Sequence, residues 1–286
     1  MQYGVSLPPF GEHADPRLIR SLAVDAEAAG WDGFFVWDHM VFRKAPLAVA
    51  DPWIALAAVA GATERIRIGT MVTPLSRRRP WVVARQAVGI DRLSDGRFIL
   101  GVGLGAPVHQ DFGSFGEATD DRERAAMLDE SLALLGRFMS GQKVRHAGTH
   151  YQVRDVTFLP RPVQSPIPIW VGGYWPAKGP MRRAARFQGI APGRKGGPLR
   201  PRDLPQIREF IDHHREPDGR FDYVVSGATE GEGASGDAAV LAPWQQAGAT
   251  WWIEDLSMWR FDRGRTDSPW PTDEIVGRVR GGPPQP

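Results

Sequence analysis

Apolar residues along this chain follow two alternating patterns. In short runs nearly every position is apolar, and in longer stretches they recur every three or four residues. The first pattern suits a strand buried on both faces, the second an amphipathic helix. Residues 3–7 are the first such run. Asp15-Pro16 then caps a helix carrying Leu18, Leu22 and Ala26 on one stripe, with Gly30 at its end. The rhythm repeats with strands at 33–37, 66–72 and 98–102 and helices at 52–62 and 81–93. A long helix at 121–140, a hairpin at 144–158 and a proline-rich return at 159–168 interrupt it. Strands resume at 169–171, 189–191, 221–226 and 250–253, with helices at 181–186, 206–213, 237–248 and 272–280. Residues 194–205, rich in glycine and proline, read as a mobile loop, and 281–286 as a frayed tail.

Eight strand-then-helix units predict an α/β chain with a parallel sheet, and eight is the number that closes a (β/α)8 TIM barrel. The chain therefore reads as one barrel domain over residues 1–286, with a long insertion after the fourth strand. A doubly wound open sheet is the alternative.

In a barrel, chemistry belongs at the C-terminal ends of the strands. Asp38 and His39 follow the second strand. His39 is the leading catalytic candidate because an imidazole exchanges protons near neutral pH, and Asp38 or a backbone group can fix its tautomer. A structural histidine bonded to a neighbouring loop is the competing reading. Gly172-Gly173 suits close approach of backbone amides to a phosphate, or simply a tight strand-to-helix turn. Gly101, Gly103 and Gly105 suit close backbone approach to something flat but lack the dinucleotide fingerprint. Arg77, Arg78 and Arg79 read as a solvated charged loop, with an anion site as the alternative. Phe10 after the first strand, and Glu254 and Asp255 after the eighth, are candidate substrate contacts; the two acids also suit rim ion pairs. Trp37, Trp170, Trp175, Trp251 and Trp252 lie near strand ends, where some enter the core and others can flank a planar ring.

Composition narrows the classes. The net charge of +2, without a long basic run, gives no nucleic-acid groove. Cysteine is absent, so disulfides and thiolate chemistry are excluded. No apolar stretch is long enough to span a membrane, and the expected location is cytoplasmic. No His-x-His follows the first strand, and His213-His214 falls at a helix end, so no metal site is expected.

Several segments together resemble the bacterial luciferase-like family of flavin- and deazaflavin-dependent oxidoreductases. They are Ala29-Gly30-Trp31-Asp32-Gly33 leading to Trp37-Asp38-His39, then Arg67-Ile68-Gly69-Thr70. Asp91-Arg92-Leu93-Ser94-Asp95-Gly96-Arg97, Leu100-Gly101-Val102-Gly103 and Pro168-Ile169-Trp170-Val171-Gly172-Gly173 complete them. The resemblance implies a flat cofactor, FMN or coenzyme F420, at the barrel mouth. It implies Asp38 and His39 near the ring, and a bulge, often with a non-proline cis peptide, across Thr70, Met71 and Val72. Gly103 and Gly105 would flank the cofactor, and Gly172-Gly173 would take its phosphate.

Two departures stand out. Ala106-Pro107 follows Gly105 where some deazaflavin members carry a catalytic Glu, and Gln188 replaces a common Asp before the sixth strand. Both argue against a sugar-phosphate dehydrogenase. The expected function is oxidation or reduction of a small organic substrate, either as an FMNH2-dependent monooxygenase fed by a flavin reductase or by F420-dependent hydride transfer. Family members often form homodimers. A non-catalytic flavin-binding barrel and a metal-dependent hydrolase are the other classes.

Overall fold

A computed structural model of the chain describes all residues except 43–46, 217–218, 232–235, 262–269 and 285–286. Eight parallel strands form its centre. They are β1 (Gln2–Leu7), β2 (Gly33–Val36), β3 (Arg67–Thr70), β4 (Phe98–Gly103), β5 (Ile169–Trp175), β6 (Gly189–Arg194), β7 (Asp222–Gly227) and β8 (Trp251–Asp255). Pairing runs β3-β2-β1-β8-β7-β6-β5-β4, and Ile68 and Gly69 of β3 pair with Phe98 and Ile99 of β4. That last pairing closes the sheet into a barrel and excludes the open sheet.

The helices are α1 (Pro16–Ala28), α2 (Pro52–Ala60), α3 (Pro80–Leu93), α4 (Asp121–Met139), α5 (Lys178–Ala184), α6 (Leu204–His214), α7 (Asp237–Ala247) and α8 (Thr272–Arg280). Local chemistry sets their starts. Asp15 accepts from the Arg17 amide at 2.8 Å, Asp51 from those of Trp53 and Ile54, and Asp120 from those of Arg122 and Glu123. Each carboxylate satisfies amides that a first helical turn leaves unpaired.

Strand alternation sorts the core into two shells. Val5, Leu7, Phe34, Val36, Ile68 and Trp252 pack outward against the helices. Phe35, Ile99, Trp170, Val224, Trp251 and Ile253 point inward and fill the barrel. The rings of Phe35 and Trp251 lie 5.2 Å from that of Trp170. Gly189 makes room for this packing, since a Cβ there would fall 2.4 Å from Trp170 Cδ1.

The insertion between β4 and β5 contains α4, against α3, and an antiparallel hairpin (Lys143–Ala147 with Gln152–Thr157). Asp91 anchors its return by accepting from the Val163 and Gln164 amides. Arg97 is buried and donates to the carbonyls of Ala60, Thr63, Ile66 and Ser94. Both ends of the motif Asp91 to Arg97 therefore brace the fold, away from the mouth.

Three expectations change. Strand β5 extends through Tyr174-Trp175. Strand β6 extends through Arg194, whose side chain meets buried Asp203 at 2.6 Å, so the expected loop shortens on both sides and helix α6 begins at Leu204. In the tail, the Gly282 carbonyl accepts from Arg278 at 2.7 Å, while residues 285–286 lie outside the described part.

Candidate active site at the barrel mouth

The loop after β2 holds an ion-pair network. Asp38 is buried, and both its oxygens are taken. Arg78 Nε donates to Oδ2 at 2.8 Å, and its Nη2 donates to Oδ1 at 2.7 Å. Arg77 Nη2 reaches Oδ1 at 2.9 Å and the Asp38 carbonyl at 2.8 Å. The Arg77 and Arg78 side chains are only 4% and 15% exposed. The expected solvated loop is therefore wrong for these two arginines, because a buried carboxylate 39 and 40 positions away receives them. Asp38 follows β2 at the mouth, and both its side-chain oxygens accept from Arg77 and Arg78. Its bonds hold Arg77 and Arg78 against the loop after β2.

Sequence reasoning missed Asp111. This fully buried residue ends the short helical turn Val108–Asp111 at the start of the insertion. Its Oδ2 lies 2.9 Å from His39 Nδ1, its Oδ1 accepts from the Met40 and Val41 amides, and Arg77 Nη1 lies 3.3 Å away. Burial alone would raise the Asp111 pKa. The His39 bond, the Arg77 charge and the Val41 amide outweigh it and hold the carboxyl below its ordinary value. An ionised Asp111 fixes the Nδ1–H tautomer and leaves Nε2 of His39 for other chemistry. Among the described residues nothing bonds to that nitrogen.

Aromatic rings surround the imidazole. Phe42, Phe10 and Trp37 have centroids 5.3, 5.5 and 6.0 Å from it. Phe10 is fully buried, so it supports the wall from behind. Trp37 Nε1 donates to Ser6 Oγ at 2.9 Å, and its ring stacks on Trp259 at 5.7 Å.

The opposite side of the mouth is made of small residues. By strand parity Gly103, Gly172, Ala191, Gly193 and Ser226 occupy its inward rim positions. Beside them the chain bends after β3. The Met71–Val72 peptide is cis, at the place the resemblance implied. The Thr70 hydroxyl donates across to the Gly101 carbonyl at 2.8 Å, and Met71 packs on the interior core. A Cβ at Gly103 would fall 2.8 Å from Val72 Cγ2, and one at Gly172 would fall 3.2 Å from Val72 Cγ1. Val72 is thus wedged between strands β4 and β5. Gly105, at φ +81°, packs under Pro74 and Phe112.

Gly172-Gly173 does not form a strand-to-helix turn. Both residues lie within β5, in register with Ala191 and Pro192 of β6. A Cβ at Gly173 would meet Pro180 Cβ at 2.1 Å, so this glycine admits helix α5.

The two acids of β8 separate. Glu254 is fully buried on the outward face, where it accepts from the Thr229 amide and hydroxyl and from Trp252 Nε1 and pairs with Arg260 and Arg278. It takes the rim ion-pair role. Asp255 shares the inward parity of Trp251 and Ile253. Among the described residues no group of three His, Asp or Glu side chains is placed to hold a metal ion. No described helix is long and apolar enough to cross a membrane.

The chain matches the model of the luciferase-like monooxygenase family over residues 1–229. It is 32% identical over 283 residues to an F420-dependent glucose-6-phosphate dehydrogenase of Nakamurella multipartita, with 91% of this chain and 77% of that protein covered. It spans only about half of other curated relatives of that name, 49% of the Beutenbergia cavernae protein and 54% of the Amycolatopsis mediterranei one. An F420-dependent secondary alcohol dehydrogenase in complex with an F420-acetone adduct superposes with a TM-score of 0.76 at 15% identity, covering 98% of this chain and 97% of that one. The FMN-bound oxygenating constituent of 3,6-diketocamphane monooxygenase from Pseudomonas putida gives 0.61 at 18% identity, over 86% and 73% of the two chains. These two likenesses show the shared barrel fold. With the family model matched from the first strand through the seventh, the chain belongs to the luciferase-like monooxygenase family.

Proposed function

We propose that this barrel is an oxidoreductase that binds a reduced flavin-type cofactor, F420 or FMN, at its mouth and acts on a small organic substrate. The observation that carries the reading is the His39–Asp111 pair. A buried carboxylate fixes one imidazole nitrogen at 2.9 Å and leaves the other for proton exchange at the mouth.

The residues fit a flat ring. Gly103, Gly172, Ala191 and Ser226 present little bulk on one side of the mouth, with Val72 between two of them and the Tyr174 ring against Gly193. The buried Thr73 hydroxyl, one position past the bend, has no partner among the described residues. When bound, such a ring supplies hydride or, in the presence of oxygen, supports oxygenation. Val72, Met71 and Gly103 would hold its face, Gly172 would admit its tail, and His39 would donate or accept a proton. The shielded His39 and the aromatic wall of Phe42 and Trp37 would exclude water from the reacting atoms. The curated relatives support F420, and the FMN-bound neighbour supports FMN. In the FMN form a separate flavin reductase must supply the reduced ring. Ala106, standing where an acid is common, supports a substrate other than a sugar phosphate. We infer a cytoplasmic enzyme. Exposed Leu18, Ile54 and Val82 on the outer helices support a homodimer, checked by sedimentation.

The test is anaerobic titration of cofactor-free protein with F420 and with FMN. Tight binding of one is expected, and binding of neither overturns the proposal. Turnover with the bound cofactor should disappear in His39→Ala while affinity persists. Cofactor binding without any turnover would favour a non-catalytic barrel.

A further inference from the structure

Asp255 ends β8 at the mouth and has no place in the network described above. Its position is set by alternation: Trp251 and Ile253 fill the barrel interior and Trp252 packs outward, so Asp255 faces in. It is level with Ser6, its register partner on β1. Ser6 in turn accepts the Trp37 indole N–H at 2.9 Å. Asp255 and His39 therefore flank the C-terminal end of β1, with Trp37 between them.

The local bonding of Asp255 is sparse. Its Oδ1 accepts from the Ser257 amide at 2.8 Å, and its Oδ2 accepts from the Ser257 hydroxyl at 3.0 Å. No cation bonds to it among the described residues. Arg260, the charged group of the following loop among the described residues, pairs with Glu254 and donates to the Thr229 carbonyl. Glu254 is a further charge nearby, and it acts to raise the Asp255 pKa. The neighbouring strands present uncharged positions at this level, Ser6 on β1 and Ser226 and Gly227 on β7. Glu254 thus engages Arg260 and Arg278, and Asp255 remains an inward-facing carboxyl without a counter-ion among the described residues. Burial pushes its pKa above the ordinary value, against the lowering effect of the Ser257 bonds and of Arg260.

We propose that Asp255 is the substrate-side proton donor of this site, acting on a substrate that presents a ketone or aldehyde carbonyl. The assignment rests on the hydride-transfer form of the function proposed above. In the reducing direction the carbonyl carbon would take the hydride that a reduced deazaflavin supplies when bound, and the C=O π pair becomes a lone pair on the oxygen. The oxygen takes the proton from the Asp255 carboxyl, giving the alcohol. Asp255 regains its proton from solvent, balanced by the one proton that oxidation of the reduced cofactor would yield. In the opposite direction the Asp255 carboxylate takes the hydroxyl proton while hydride leaves the same carbon. Ser257 positions the carboxyl and sets how readily it parts with the proton.

The test begins on the cofactor-free protein. Carbonyl-carbon NMR of side-chain-labelled Asp, with Asp255→Asn used to assign the resonance, follows the titration directly. Asp255→Asn retains an oxygen for the Ser257 amide, so the turn persists. A midpoint above the ordinary Asp range of about 3.9 is expected; a midpoint at or below it overturns the assignment. Ser257→Ala should raise the midpoint further. The second readout is reduction of a panel of simple ketones and aldehydes with reduced F420. Asp255→Asn should lower kcat by about 100-fold or more with cofactor affinity unchanged. The limb of the pH profile that Asp255 sets should vanish in that variant and move to higher pH in Ser257→Ala. Wild-type turnover that Asp255→Asn leaves intact overturns this assignment alone. Absence of wild-type turnover, with F420 unbound, overturns the function on which it rests.

Discussion

The Nδ1–H of His39 donates to Asp111 Oδ2 at 2.9 Å across 72 positions of sequence. The bond joins the loop after β2 to the first turn of the insertion after β4. Asp111 is fully buried, and its second oxygen is held by the Met40 and Val41 amides. The carboxylate thereby fixes both the imidazole and the backbone that carries it.

Asp111→Asn should lower turnover by about 100-fold, because an amide side chain no longer stabilises the protonated imidazole. Cofactor affinity should change little, since the ring contacts are expected at Val72 and Gly103. Steady-state kinetics beside a binding titration separates the two effects. Equal losses in both would mean that Asp111 serves folding of the loop alone.

Asp38→Asn should destabilise the fold by about 3–5 kcal/mol. Asp38 is the shared partner of Arg77 and Arg78, and removing its charge leaves shielded Arg78 without its carboxylate and Arg77 with Asp111 alone. Urea unfolding measures the change. An unchanged midpoint would contradict the buried network.

Gly103→Ala should weaken cofactor binding by about 10-fold or more, because the new methyl group displaces Val72 Cγ2 from 2.8 Å. The double variant Gly103→Ala with Val72→Ala removes the clash and should recover part of the affinity. No recovery would show that the glycine is needed for another reason.

His13 gives the fold a pH dependence. It is 2% exposed and receives the Trp270 indole N–H on Nδ1. Burial, opposed by Glu12, lowers its pKa from 6.5 to about 4. Below about 6.5 the unfolded chain binds the proton first, so stability is complete above that pH and lost progressively down to about 4. The loss from this group is roughly 3 kcal/mol. Urea unfolding at about pH 7.5 and about pH 4.5 should show it in the wild type and a smaller change in His13→Gln. The same loss in both proteins would assign the dependence to other groups.

The candidate site was legible in the sequence where strand alternation and motif order place a residue. His39 and the bend at Met71–Val72 lie at the mouth as expected. The role of the arginines was not legible, because Arg77 and Arg78 show charge in sequence while their partner is Asp38. Asp111 was missed for the same reason: an acid in an irregular segment carries no local signal of the histidine it will meet. Gly172-Gly173 misled in its geometry, since a glycine pair marks close approach without saying what approaches. At Gly173 it is Pro180.

By itself the sequence determined the eight-unit rhythm and the strand ends at which chemistry sits, while closure into a barrel came from the pairing of β3 with β4. The first two follow from local periodicity and capping, which are properties of neighbouring residues. Tertiary structure alone decided which charges meet. It paired Asp111 with His39, and it sent Glu254 outward to Arg260 and Arg278 while turning Asp255 into the mouth. Consecutive strand residues face opposite sides, but which side becomes the interior depends on how the sheet closes.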